Sequence, residues 1–275
     1  MEVGLIVISV LASVTNAAVI IMVIAIKELR TFNNVFVASL AVSDMLTGAV
    51  LVPLHLADHY EVSGFLSFTI MISGVLNLCA VTWDRYVAVT DPFGYKDKLQ
   101  KCHGKLLFAI WTTASLSTLI PLAWDNDITT EYHKWFLILS LLILVLIPYG
   151  FIVAAYVRIW LRLRSHAAQM KQVSISNEQR EGARRASLEG KTVKVFLVVV
   201  SVFLVSWLPV IYMTTVGLML GRLDLIPPHL SMLSWYTITG SSLINPILYG
   251  IMKRDFYVQF RRLCSSIVDP WTSPT

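Results

Sequence analysis

The sequence predicts an all-α integral membrane protein: a seven-transmembrane helix bundle with an amphipathic helix after the last span. Composition is the first reason. Of 275 residues 56% are hydrophobic, and the mean hydropathy of +0.69 exceeds what a water-soluble domain of this length can use. The second is segmentation. A helix needs about 20 mostly apolar residues to cross hydrocarbon, and seven stretches qualify, at roughly 3–27, 34–57, 63–89, 104–124, 135–163, 190–219 and 228–252. The third is charge placement. All but two of the 22 Lys and Arg residues fall on alternate connections, the exceptions being Lys134 and Arg222.

That asymmetry places the N-terminus outside and the C-terminus in the cytoplasm of a plasma-membrane protein. Acids collect on the opposite side, at Asp58, Glu61, Asp125, Asp127, Glu131 and Asp224. The +5 net charge is therefore a topology signal. It suits anionic lipid and a cytoplasmic partner, and no nucleic acid is expected. Residues 1–253 form the bundle, and 254–275 form the surface helix and a short tail.

Each span carries a polar or proline feature, and polar groups at membrane depth point to function. Span one begins almost at Met1, lacks the basic lead and cleavage site of a removable signal peptide, reads as a retained anchor, and holds Asn16. Span two has Asp44 in SLAVSDMLTG. Span three starts weakly, at HYEVSG, and ends in VTWDRYVAV with Asp84, Arg85 and Tyr86. Span four has Trp111. Span five has Pro148 in LVLIPYG, then Tyr156. Span six has SWLP at Ser206–Pro209, and span seven has NPILY from Asn245 and Pro246 to Tyr249. Mid-helix prolines in three spans imply kinked helices. In GIMKRDFYVQFRRLC, apolar Phe256, Phe260 and Leu263 alternate with basic residues, as in a helix lying on the membrane. Cys79, Cys102 and Cys264 leave no cysteine for an outer-loop disulfide. His55 and His59 read as interfacial histidines. No catalytic or phosphate-binding pattern stands at membrane depth, so an enzyme is not expected. A transporter or scramblase, or a non-signalling receptor-like protein, remains as the alternative, although the repeated half-sequences of transporters are absent.

Asn16, LAVSD, DRY, Trp111, Pro148 with Tyr156, WLP and NPILY occur in order, one set per span. This resembles the class A (rhodopsin-like) G-protein-coupled receptors across all seven spans. The resemblance implies that Arg85 pairs with Asp84 and with Glu189 as a latch, and that Tyr156 and Tyr249 receive Arg85 on activation. Phe203 and Trp207, near Pro209, would form an aromatic switch. Asp44 and Asn245 would hold a sodium ion, the one cofactor implied, although Gly74 stands where the family usually supplies a serine. Pro92 and Phe93 in TDPFGYKDKL match the turn and knob that enter a heterotrimeric G protein. Arrestin and a kinase are implied partners, with Ser187 in RRAS as a phosphorylation site, and Cys264 as a palmitoylation site.

By the same resemblance an extracellular small ligand would bind among Ser67, Phe68, Met71, Ser140, Leu141, Leu144, Trp207, Val210, Ile211, Trp235 and Thr239. Amine receptors carry an aspartate where Ser67 stands, opsins need a lysine that 228–252 lacks, and Tyr60 replaces the usual disulfide cysteine. The second inner loop still resembles amine and adenosine receptors, so an amine- or adenosine-like ligand is preferred over a lipid or peptide.

Overall fold

Hydrocarbon offers no hydrogen bonds, so a chain this apolar must satisfy its backbone internally. Every regular element among the described residues is helical. The computed structural model describes the backbone of residues 2–91, 94–170 and 177–268. The side chains of 96, 98–100, 163, 166–170, 177–193, 195, 196, 218, 219, 252, 254 and 263–268 lie outside the described set.

Helix α1 is Glu2–Ala25. Helix α2 runs Phe32–Leu46, loosens into a π-helical turn at Thr47–Leu51 and ends as Val52–Leu56. Helix α3 is Tyr60–Thr90 and α4 is Tyr95–Leu119, finished by a 3₁₀ turn at Ile120–Trp124. Helix α5 is Glu131–Ser140, a π turn at Leu141–Leu146, then Ile147–Met170. Helix α6 is Asn177–Thr214 with a π turn at Thr215–Met219. Helix α7 is Leu230–Met252, and α8 is Arg254–Val268.

Local chemistry sets the boundaries. Thr31 caps α2 by accepting the Asn34 N–H at 3.3 Å, and Thr130 caps α5 by accepting that of His133 at 3.2 Å. Asp58, Asp125 and Asn126 take positive φ in the turns before α3 and α5, where short polar side chains tolerate the left-handed region. Thr129 donates its amide and hydroxyl to Asp127 at 2.9 and 2.7 Å, holding that exposed carboxyl below the usual carboxylate range.

The polarity of the bundle is inverted relative to a soluble protein. Val3, Phe108, Leu116, Trp135, Ile147 and Leu208 are exposed on the outside, whereas Asn16, Asp44, Ser73, Asn77, Asp84 and Asn245 are buried. Helix α3 is central, touching α2, α4, α5 and α6, while α7 closes the ring between α6 and α1. Six helices among the described residues are long and apolar enough to cross a membrane. The seventh, α7, has the length, at 23 residues, but carries many hydroxyls. Its Ser234, Thr239, Ser241, Ser242 and Asn245 are buried inside the bundle, so lipid does not meet them.

The prolines show how the interior is satisfied. Pro246 lacks the N–H that would reach the Ser242 carbonyl four residues earlier. Asn16 Nδ2 of α1 donates to that carbonyl at 2.9 Å, and to Ala12 O at the same distance. Near Pro209, Thr237 Oγ1 of α7 donates to the Ser206 carbonyl at 2.9 Å. Trp111 Nε1 ties α4 to α2 through Ser39 Oγ at 3.1 Å. Asn16→Ala leaves a buried carbonyl unmet, which costs about 1–3 kcal/mol. We predict a lower thermal midpoint for the purified variant; an unchanged midpoint would mean that the Ser242 carbonyl finds another donor.

Candidate functional site

Three polar clusters lie along the bundle, and α3 contributes to each. At the end rich in basic residues, Asp84 is fully buried and Arg85 nearly so. Arg85 Nε and Nη2 donate to Asp84 Oδ2 at 2.8 and 2.5 Å. Tyr95 Oη donates to the other carboxylate oxygen at 2.8 Å. The carboxylate is thus held from both sides, and the start of α4 is tied to α3. Tyr156 of α5 is buried near Thr82 and Arg85, and its hydroxyl has no hydrogen-bond partner among the described residues. Tyr249 is buried with its ring 6.3 Å from that of Phe256 on α8. Tyr86 packs half-buried against the core.

The same end holds a buried lysine. Lys253, at the junction of α7 and α8, is 5% exposed. Its Nζ donates to Asn33 Oδ1 at 2.6 Å and to Asn34 Oδ1, and lies 5.2 Å from the Phe256 ring centroid. It fastens α8 to the start of α2. Neither Tyr95 nor Lys253 has a signal in the sequence beyond being a tyrosine and a lysine in basic connections, because each acts across the fold. Pro92, Phe93 and the side chains of Ser187, Glu189 and Cys264 lie outside the described residues.

At mid-depth, Asn245 Nδ2 of α7 donates to Asp44 Oδ2 of α2 at 2.8 Å. Ser43 and Ser73 hydroxyls meet at 2.9 Å. Beside them is a chamber of about 10 Å³ lined by Ser43, Asp44, Thr47, Ser241, Ser242, Gly74, Phe203 and Trp207, enough for one water-sized occupant. One carboxylate and several hydroxyls are hard oxygen donors that fit a small cation. Gly74 contributes no ligand, and Phe203 occupies its space: a Cβ at Gly74 would lie 2.6 and 2.8 Å from two ring carbons. The Phe203 and Trp207 rings are 6.0 Å apart, with Pro209 two residues beyond Trp207 on α6 and Pro246 next to Asn245.

The third cluster is a cavity of about 250 Å³. Ser67, Phe68 and Met71 line it from α3, Ser140, Leu141 and Val145 from α5, and Trp207, Val210, Ile211, Thr214 and Thr215 from α6. Leu144, Trp235 and Thr239 are not among its lining residues. Thr239 is fully buried, Leu144 packs on the core, and Trp235 stacks on His55 with ring centroids 3.9 Å apart. The Asn16–Ser242, Asp44–Asn245 and His55–Trp235 contacts hold α7 to α1 and α2, the Thr237–Ser206 bond holds it to α6, and the cavity is walled by α3, α5 and α6. An aromatic group closes its far side: Phe68 meets Phe136 at 5.6 Å, Phe136 meets Trp124 at 5.9 Å, and Trp124 Nε1 donates to His133 Nδ1 at 3.4 Å.

Comparison with known proteins decides the family. Residues 15–249 match the family described as 7 transmembrane receptor (rhodopsin family). The chain belongs to that family. Among relatives of this receptor is the D(1B) dopamine receptor of Xenopus laevis, 27% identical over 94% of this chain and 68% of that one. Another is neuropeptide Y receptor type 2 of Cavia porcellus, 28% identical over 91% of this chain and 72% of that one. The chain spans 63–68% of the length of the first dopamine receptors it matches. Squid rhodopsin shares the fold, with a TM-score of 0.82 at 16% identity, covering 99% of this chain and 87% of that one.

In this receptor Gly74 and Phe203 are a complementary pair. Gly74→Ala should force the Phe203 ring aside, and such overpacking costs about 1–3 kcal/mol. The thermal midpoint should fall, and a second change, Phe203→Leu, should restore much of it. A single variant as stable as the parent would show that the ring moves freely.

Proposed function

We propose that this class A G-protein-coupled receptor transmits binding of an extracellular small ligand in the α3–α5–α6 cavity to a heterotrimeric G protein at the basic end. One observation carries the reading. A single helix, α3, has hydroxyl and aromatic groups facing an open cavity near one end and the doubly held Asp84 at the other. Trp207 lies at both the cavity and the chamber, and Phe203 lies at the chamber, between those ends. A ligand pressing on Trp207 can therefore shift α6, whose Pro209 kink allows pivoting.

In this reading the N-terminus is outside, the basic connections are cytoplasmic, and the bundle lies in the plasma membrane. Freed from Asp84, Arg85 turns to Tyr156 and Tyr249 as the basic end opens. Glu189 adds a second acid to the latch, and Pro92 and Phe93 enter the G protein. Phosphoserine at Ser187 would repel Glu189. A kinase and arrestin act at the same face, and palmitoylated Cys264 anchors α8 beside membrane lipid. Asp44 and Asn245, with neighbouring hydroxyls, hold a sodium ion that favours the closed state. The similarity to dopamine receptors is consistent with a small amine-like ligand.

Purified receptor in nanodiscs should accelerate guanine-nucleotide exchange on at least one member of a panel of heterotrimeric G proteins. Arg85→Ala should lose that acceleration. Tyr95→Phe, which removes one bond from Asp84 worth about 1.5–3 kcal/mol as a bond to a charged group, should raise basal exchange several-fold. No exchange above the receptor-free rate anywhere in the panel overturns the proposal.

The sodium reading has its own measurement. Adding sodium should depress basal exchange by the parent receptor, and Asp44→Asn should abolish that dependence. Equal sodium sensitivity in parent and variant would place the ion elsewhere.

A further inference from the structure

Hydroxyls on these helices ordinarily bond back to their own helix. Ser13, Thr69, Thr82, Thr118 and Ser206 each donate to the carbonyl four residues earlier, at 2.6–3.1 Å. Ser67, Ser140, Thr214 and Thr215 break that habit. Their hydroxyls make no hydrogen bond among the described residues, and all four line one cavity. Ser140 is 7% exposed. Ser67, Thr214 and Thr215 are half-buried, so four hydroxyls on three helices line one space without bonding back to their own helices and offer their hydrogen bonds to what occupies it.

No ionisable side chain lines this space. An ammonium buried there would lose its water without gaining a carboxylate, a loss that hydroxyl contacts do not return. The nearest acid along α3 is Glu61, six residues before Ser67 and exposed, which at the helical rise is about 9 Å further along the axis. The walls of the cavity include the Phe68 and Trp207 rings. Both flanking helices loosen into π turns here, at Leu141–Leu146 and Thr215–Met219, a distortion frequent at functional sites.

We infer that this cavity, read as the receptor's ligand site on the argument above, binds the uncharged, hydrogen-bonding part of an aromatic small molecule and leaves any amino group outside. The chemical class is a phenol, an aromatic alcohol or a neutral amide. Ser67 and Ser140 reach it from opposite walls, and Thr214 and Thr215 from the third.

The test compares dopamine with 4-ethylcatechol, the same molecule without its amino group, by equilibrium binding to the purified full chain in nanodiscs. Removing the amino group should change affinity for the parent by less than about threefold, well under the tenfold that 1.4 kcal/mol represents. Ser67→Asp should create a preference for dopamine of about tenfold or more, as a new ion pair does in a desolvated site. Ser140→Ala should weaken 4-ethylcatechol about five- to tenfold, the scale of one lost hydrogen bond. A tenfold preference of the parent for dopamine, binding of neither molecule, or unchanged 4-ethylcatechol binding by Ser140→Ala overturns the inference. Binding needs no G protein, so failed coupling leaves this result standing. A dopamine preference in the parent would overturn the neutral site while leaving the receptor reading intact.

Discussion

A carbonyl released by proline inside hydrocarbon has no water to turn to, and much of this bundle is arranged around that constraint. Asn16 meets the Ser242 carbonyl that Pro246 releases, and Thr237 meets the Ser206 carbonyl beside Pro209. Each donor comes from a neighbouring helix, so each proline site also ties a helix pair. The result is that α7, polar for a membrane helix, is pulled inward against α1 and α2. That placement brings Asn245 to Asp44 and Trp235 to His55. It also removes α7 from the cavity wall. The cavity is left to α3, α5 and α6.

The basic end shows a different balance. Asp84 accepts from Arg85 and Tyr95 at once, which is enough to hold a buried carboxylate. Buried pairs of this kind contribute little net stability, because desolvation offsets attraction. In the proposed function their value lies in having alternatives. A bias of a few kcal/mol separates a rarely populated state from a dominant one, and one hydroxyl from Tyr95 is a meaningful share of such a bias. Tyr156 is buried close by, near Thr82 and Arg85.

Much of this was legible in the sequence. Six helices follow from apolar length and α7 from its length alone, and Asn16, Asp44, Arg85, Trp207 and Asn245 stand out because a polar or proline residue in an apolar run is conspicuous. Ser67, Phe68, Met71, Ser140 and Ile211 share one cavity because their register along each helix is readable from a motif on the same helix. What the sequence does not carry is rotation and tilt between helices. Trp235 and Thr239 lie at cavity depth by register, yet Trp235 stacks on His55 and Thr239 is buried within the bundle. Tyr95 is invisible for the same reason, since its partner is eleven residues distant and across a loop. Lys253 reads as one more basic residue near the membrane until Asn33 and Asn34 are seen to enclose it.

The far side of the cavity raises the question of what replaces a disulfide. The described cysteines, Cys79 and Cys102, are free, and Tyr60 stands where the family resemblance places the span-three cysteine. A disulfide there would add about 2–4 kcal/mol. Instead Phe68, Phe136, Trp124 and His133 form a continuous run of ring contacts joining α3, the end of α4 and the start of α5. Aromatic pairs contribute about 0.5–1.5 kcal/mol each beyond their buried area, so several in series approach the same total. The difference is in how the energy is distributed. A covalent link keeps its ends together in every state, whereas tilted and edge-on ring contacts can separate one by one. Phe68 belongs both to this group and to the cavity wall, so a molecule that displaces its ring also loosens the tie between α3 and α5. The aromatic closure at this end of the receptor and the cavity beneath it are therefore one mechanical unit.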